Sequence, residues 1–249
     1  MSIEWDYSAL AAHYEKRAPY AEAALDTLLA DCGPPARAHM VDIGAGTGRL
    51  TRYWLQRGHT VDAVEPCVEM RTIGAALAAG ARWHASEGAA TGLPDGCAQL
   101  VSYGSSFNVL QAGPAIAEAR RLLGARGQVL LLWNHRKLDD PLQAGIEALI
   151  RTQVPNYGLG SRRQDPLPVW RAHASIDQVR HCEAPLLARQ RVGDFLQGFR
   201  AHGTLIRQAG ERFPAVLDAL ARYLDAHCPD GWIEVPMHTR AWSFRVCRS

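Results

Sequence analysis

The sequence has no long apolar run. Stretches such as residues 129–133 fall far short of the roughly 18 residues a membrane-spanning helix needs, so no membrane partner is expected. It has no surplus of either charge: 27 Lys and Arg against 25 Asp and Glu leave a formal net charge of +2. A nucleic-acid partner would usually call for a strongly basic face, and none is expected. The first residues, Met1-Ser2-Ile3-Glu4-Trp5-Asp6, lack the basic and apolar regions of a secretory signal, and a cytoplasmic location is expected. The six cysteines (Cys32, Cys67, Cys97, Cys182, Cys228, Cys247) form no C-x-x-C pair, and only Cys182 and Cys228 have a histidine beside them. That spacing fits no usual metal-ligand pattern, so reduced thiols and no metal are expected. No internal repeat or low-complexity tract occurs.

What is present is an alternation of strand-like and helix-like segments along 249 residues, 47% of them hydrophobic. Helical spacing over residues 18–32 ends at Gly33-Pro34-Pro35. A strand at 39–43 runs through a glycine segment into a helix at 49–57. A second strand (60–64) ends at Glu65-Pro66 and leads to a helix at 68–79. Further strands are expected at 82–85, 100–103 and 128–133, with a helix at 114–123. Such alternation calls for a parallel sheet covered on both faces. After Asp140-Pro141 come a helix (142–152) and an irregular stretch (154–168) read as an insertion over the sheet. Strands at 186–192 and 239–247 then flank a helix at 213–227, giving an antiparallel closing pair. One domain is expected over residues 1–249: a lid and first helix (1–35), a ligand-binding core (36–140), an inserted substrate-side segment (141–185) and closing strands with a helix (186–249).

The chemistry centres on Val41-Asp42-Ile43-Gly44-Ala45-Gly46-Thr47-Gly48. Glycines between a strand and a helix let the backbone approach a ligand, because no Cβ intervenes. Their even spacing departs from the dinucleotide pattern G-x-G-x-x-G. Glu65, at the end of the next strand, stands where an acidic side chain accepts hydrogen bonds from ribose hydroxyls, which implies adenosine. Asp42, just before the turn, would repel a pyrophosphate and attract the ammonium of a methionine moiety; the other reading is that it only caps the turn.

Residues 41–50 resemble motif I of class I S-adenosylmethionine-dependent methyltransferases, specifically the type 11 group. Ala90-Thr91-Gly92-Leu93-Pro94-Asp95, the run 127–134, Val235-Pro236 and Thr239-Arg240 are similar to its trans-aconitate methyltransferase branch. The resemblance implies a Rossmann-like α/β fold, with a seven-stranded, mostly parallel sheet containing one antiparallel strand and helices on both faces. It implies S-adenosyl-L-methionine as cofactor, held by Asp42, Gly44, Ala45, Gly46, Glu65 and Pro66. Glu87 would lie at the adenine amino group, and Gly88 and Ser105 would also contact the cofactor. Tyr14 and Arg17 would approach the methionine carboxylate, for which a guanidinium fork is apt. Ala89, Gln99 and Ala18 depart from the family pattern.

Ligand crevices of open α/β sheets lie outside the carboxyl ends of the strands, which selects residues 102–111 and 133–136. Phe107, Asn108, Trp133 and His135 are the substrate-side candidates there, with Trp5 and Tyr7 as an aromatic lid. His202 and His238 are candidate bases, and Arg200 with Arg162 and Arg163 could bind an anion. Core packing is the alternative for the aromatics, and a solvated patch for the arginines. The opening Asp6-Tyr7-Ser8-Ala9-Leu10, the Arg17-Ala18-Pro19-Tyr20 variant and Asn108 resemble azapteridine N-methyltransferases of toxoflavin biosynthesis. That implies ring-nitrogen methylation of a small planar heteroaromatic substrate, with Tyr7 and Asn108 at the acceptor. Two other readings stand beside it: an O- or carboxyl-methyltransferase of a small acid, and a non-catalytic cofactor-binding protein. A monomer or weak dimer is expected.

Overall fold

The computed structural model describes residues 7–160 and 163–247. Seven strands form one sheet in the order β3-β2-β1-β4-β5-β7-β6: β1 His39–Ile43, β2 Thr60–Val64, β3 Arg82–His84, β4 Ala98–Gly104, β5 Leu123–Arg136, β6 Ile176–Arg191 and β7 Trp232–Val246. β1 to β5 pair in parallel, and β7 runs antiparallel to both β5 and β6.

The helices are α1 Ala11–Tyr14, α2 Glu22–Cys32, α3 Arg49–Gln56, α4 Val68–Leu77, α5 Ala112–Leu122, α6 Pro141–Gln153, α7 Leu167–Arg171, α8 Val192–Phe199, α9 Gly203–Ala209 and α10 Phe213–His227. The central strands are apolar on both faces because both are covered. Met40, Leu100, Leu130 and Leu132 pack under Leu25, Leu28 and Trp54 of α2 and α3. Their neighbours Val41, Val101, Val129 and Leu131 pack under Ile116 and Leu122 of α5 and Trp170 of α7.

The last β5–β7 pair is Arg136↔Met237, while β6 and β7 continue pairing to Arg191↔Trp232. The β6–β7 ribbon therefore overhangs the carboxyl end of β5. α6, α8, α9 and α10 bury Ile146, Phe195, Phe199, Leu205 and Leu220 against its Ile233 and Val235. This helical layer walls off a cleft above the strand ends.

Two expectations need correction. β6 begins at Ile176 rather than 186, so residues 176–185 belong to the sheet instead of an insertion. As an edge strand it is largely exposed and polar and carries Pro185, which an edge tolerates and a sequence pattern hides. β7 begins at Trp232 rather than 239, because its first residues pair only with β6. Among the described residues no helix is long and apolar enough to cross a membrane.

Candidate active site

The glycine turn leaves β1 with Gly44, Gly46 and Gly48 all left-handed, at φ +67°, +57° and +80°. The neighbourhoods of the first two differ. A Cβ on Gly44 would meet the Ser106 Cβ at 2.5 Å, whereas one on Gly46 would meet only the Tyr14 ring, at 4.0 Å. Gly44 is thus needed for packing and Gly46 for an open surface. Gly44 and Ala45 donate their N–H groups to the Val64 carbonyl, which joins the turn to the end of β2.

There Glu65, nearly buried, accepts from the Gly46 N–H at 2.8 Å through Oε2 and from the Cys67 N–H at 2.9 Å through Oε1. Burial holds its pKa above the usual value despite these donors. Each carboxylate oxygen keeps a lone pair for a further donor. Arg71 donates to the backbone carbonyls of Glu65 and Pro66, fixing the strand end. Gly88 packs against Ile43 and Leu110, and Glu87 is exposed beside it.

Asp42 points beneath the turn. Its oxygens accept from Thr51 Oγ1 at 2.7 Å and Ser102 Oγ at 2.9 Å, and Ser102 in turn accepts from Trp54 Nε1. Burial raises its pKa to about 6, partly offset by the two hydroxyl donors. Both of its oxygens are thus committed to hydroxyls beneath the turn rather than to its outer surface.

The N-terminal segment lies over this turn. Glu15 accepts from Thr47 Oγ1 at 2.5 Å and from Arg52 at 3.1 Å. Arg49 donates to the Tyr14 carbonyl. The Arg17 guanidinium sits 4.9 Å from the Tyr14 ring centre, and the neighbouring tyrosines raise its pKa despite burial. Tyr20 bonds Ser105 Oγ at 3.1 Å; Ser105 itself is left-handed at φ +61° after β4. Tyr7 is half-buried beside the small cluster of Leu10, Ala11 and Met70. Trp5 and Arg162 lie outside the described residues. The Glu15 clamp and the Ser106 contact were missed in sequence; the clamp carries no spacing signal, being made between segments that meet only on folding.

Beyond Arg17 opens a cleft of about 820 Å³ of empty space, its open mouth included. Its walls come from the N-terminal segment (Lys16, Arg17), β5 (Asn134, His135, Arg136), the loop at Arg163, β6 (Gln190), α8 (Phe195, Phe199) and β7 (Val235, Met237), with His202 at the start of α9. His135, a candidate from the sequence, is thus among the cleft residues.

Several other candidates are not. Phe107 stacks on Trp170, rings 5.1 Å apart, and is 6% exposed; Trp133 is 3% exposed and edge-on to Trp242. Both belong to the core, because strand-end aromatics find the apolar face before they reach solvent. Asn108 accepts from Trp133 Nε1 at 3.0 Å and does not line the cleft. Arg200 is exposed at the end of α8 and does not line the cleft. His202 Nδ1 accepts from the Leu205 N–H at 3.1 Å, so its lone pair already caps α9 and it is corrected from base to donor. His238 lies outside the cleft lining, its ring 5.7 Å from His135. Burial lowers its pKa, as do the nearby arginines, leaving it neutral at physiological pH.

A left-handed glycine turn, a buried carboxylate bonded to it from the end of β2 and an overhanging ribbon beside a cleft make one arrangement. Residues 41–131 match a methyltransferase domain. An uncharacterized methyltransferase of Mycobacterium tuberculosis is 34% identical over 131 residues, covering 52% of this chain and 51% of that protein. The chain thus spans about half the length of the curated relatives it matches. A proposed type II methyltransferase of Anaeromyxobacter dehalogenans superposes with TM-score 0.64 at 17% identity, over 93% of this chain and 97% of that one. Phosphoethanolamine N-methyltransferase 2 of Haemonchus contortus, solved with S-adenosylhomocysteine, superposes at 0.50 and 15% identity, over 92% and 53%. The fold is the Rossmann-like methyltransferase fold, and the cofactor indicated is S-adenosylmethionine.

Proposed function

We propose that this chain is an S-adenosylmethionine-dependent methyltransferase of a small molecule held in the cleft beyond Arg17. The observation that carries the reading is the Glu65 carboxylate bonded to the Gly46 N–H beside a surface that only glycine keeps open. When bound, the cofactor supplies an electrophilic methyl group on a sulfonium sulfur. Glu65 would take the ribose hydroxyls and Glu87 the adenine amino group. Tyr14 and Arg17 would take the methionine carboxylate, with Asp42 favouring its ammonium. Ala45, Pro66, Gly88 and Ser105 shape the backbone around it.

On the acceptor side the protein aligns the two reactants and excludes water, which supplies much of the acceleration in an in-line transfer. Asn108 would offer its amide to the acceptor, and Tyr7 of the N-terminal lid would stand beside it. A planar nitrogen heterocycle methylated on ring nitrogen, of the azapteridine kind, is supported by the aromatic side chains of the lining, Phe195, Phe199 and His202. The His202 ring is stacked on that of Phe199 at 6.1 Å and the Arg136 guanidinium is 5.5 Å from the Phe199 ring centre. A small carboxylic acid is the second reading, favoured by the arginines of the same cleft.

The test is transfer of labelled methyl from S-adenosylmethionine to a panel of nitrogen heterocycles and small acids. Turnover of one class identifies the acceptor. Tight cofactor binding with no acceptor methylated would leave a binding protein and overturn the proposal.

A further inference from the structure

The acceptor cleft carries more positive charge than its own carboxylates neutralise, and the excess is localised. Arg136, at the end of β5, is bonded to Glu147 and Gln143. Arg240, on β7, is paired with Glu183 at 2.8 Å. Arg163 lines the cleft between them. Its guanidinium donates to the Arg136 backbone carbonyl at 2.9 Å, and its own carbonyl accepts from Arg240. Among the described residues it has no carboxylate partner.

This guanidinium is held at a cost. Burial and the like charges of Arg136 and Arg240 disfavour its charged form, opposed by Glu147, which already serves Arg136. Burying a cation beside other cations is unfavourable unless an anion compensates it, and a concave, partly apolar wall concentrates that field. His135 and His202 complete the rim. The Arg163 guanidinium offers a fork of N–H donors, of which one group is used by the Arg136 carbonyl: the complement of a planar oxyanion.

We infer that Arg163 forms an anion subsite in the acceptor cleft, so that the methyl acceptor carries a carboxylate or phosphate group bound there, away from the reacting atom. The inference rests on reading the cleft as the acceptor site. It is neutral between ring-nitrogen and acid chemistry: a heterocyclic acid would use Arg163 and the Phe199 wall together.

The test is calorimetric binding, with S-adenosylhomocysteine present, of citrate, benzoate and glycerol 3-phosphate, each against an uncharged amide or alcohol counterpart. At least one anion should bind tenfold or more tighter than its counterpart, with affinity falling as salt rises. Arg163→Gln should abolish that preference while S-adenosylhomocysteine affinity stays within twofold, and Arg163→Lys should restore part of it. The two sources of the anion separate by which probe shows the preference. Equal affinity for charged and uncharged probes, a preference insensitive to salt, or one that survives in Arg163→Gln overturns the subsite. Should Arg163→Gln not fold, the wild-type charge preference and its salt dependence decide alone. Failure of the wild type to bind S-adenosylhomocysteine would instead remove the proposed function, whatever the anions do.

Discussion

At the residue scale, Gly44 and Gly46 separate folding from binding. Both are left-handed, so alanine at either costs about 1 kcal/mol of backbone strain. At Gly44 the added methyl also overlaps Ser106, whose hydroxyl is tied to the Ile43 carbonyl, and overpacking adds roughly 1–3 kcal/mol. Gly44→Ala should therefore lower the melting temperature well beyond Gly46→Ala, while Gly46→Ala should selectively weaken cofactor binding. Equal melting losses would contradict the account. Asp42 supplies a second test. Its folded pKa, raised to about 6 from the usual 3.8, means that the folded state binds the proton more tightly than the unfolded. The associated stability is full below about pH 4, is lost as pH rises through 6, and amounts to about 3 kcal/mol. Asp42→Asn should flatten that decline, leaving the protein at least as stable at pH 7.5 while weakening cofactor binding. An unchanged stability–pH curve would refute the assignment. The glycine turn and Glu65 were legible because their constraints are local. Phe107 and Trp133 were misread because a strand-end aromatic gives no sign of which side of the backbone it will occupy.

At the element scale, Glu15 is the side chain of the N-terminal segment that binds the turn, beside the Arg49 bond to the Tyr14 carbonyl. Glu15 bonds Thr47 and Arg52 and lies 3.5 Å from Arg49, whereas the exposed Lys16–Asp194 pair at 2.8 Å is of the kind worth under about 1 kcal/mol. Glu15→Gln should change global stability by less than about 1 kcal/mol yet speed amide exchange over residues 7–20, because local opening is governed by local contacts. Asp194→Asn should leave exchange there nearly unchanged. Bound S-adenosylhomocysteine should slow it. No acceleration in Glu15→Gln would show the segment to be held elsewhere. The parallel strands and their helices followed from their hydrophobic pattern. β6 did not, since an exposed edge strand has no apolar alternation to detect, and the short helices α7, α8 and α9 are set by packing rather than by periodicity.

At the scale of the whole molecule, the fold places two sites at one end of the sheet by two devices. Parallel strands ending at a glycine turn make the first. The β6–β7 ribbon, longer than its neighbour and clad by α6, α8, α9 and α10, makes the second. The first is built around residues 41–88, whose glycine turn and Glu65 stand out in the sequence, with Tyr14, Arg17 and Ser105 added from outside that range. The second draws Arg17, Arg136, Arg163, Phe199 and His202 from five segments, and only the folded chain brings them together. The most direct test of the central claim is calorimetric titration of S-adenosylhomocysteine and of NAD into the wild type and Gly46→Ala. The account predicts one saturable site for S-adenosylhomocysteine, no heat from NAD, and at least tenfold weaker binding in a Gly46→Ala protein that remains folded. Binding of NAD at this site, or S-adenosylhomocysteine binding indifferent to Gly46→Ala, would contradict it.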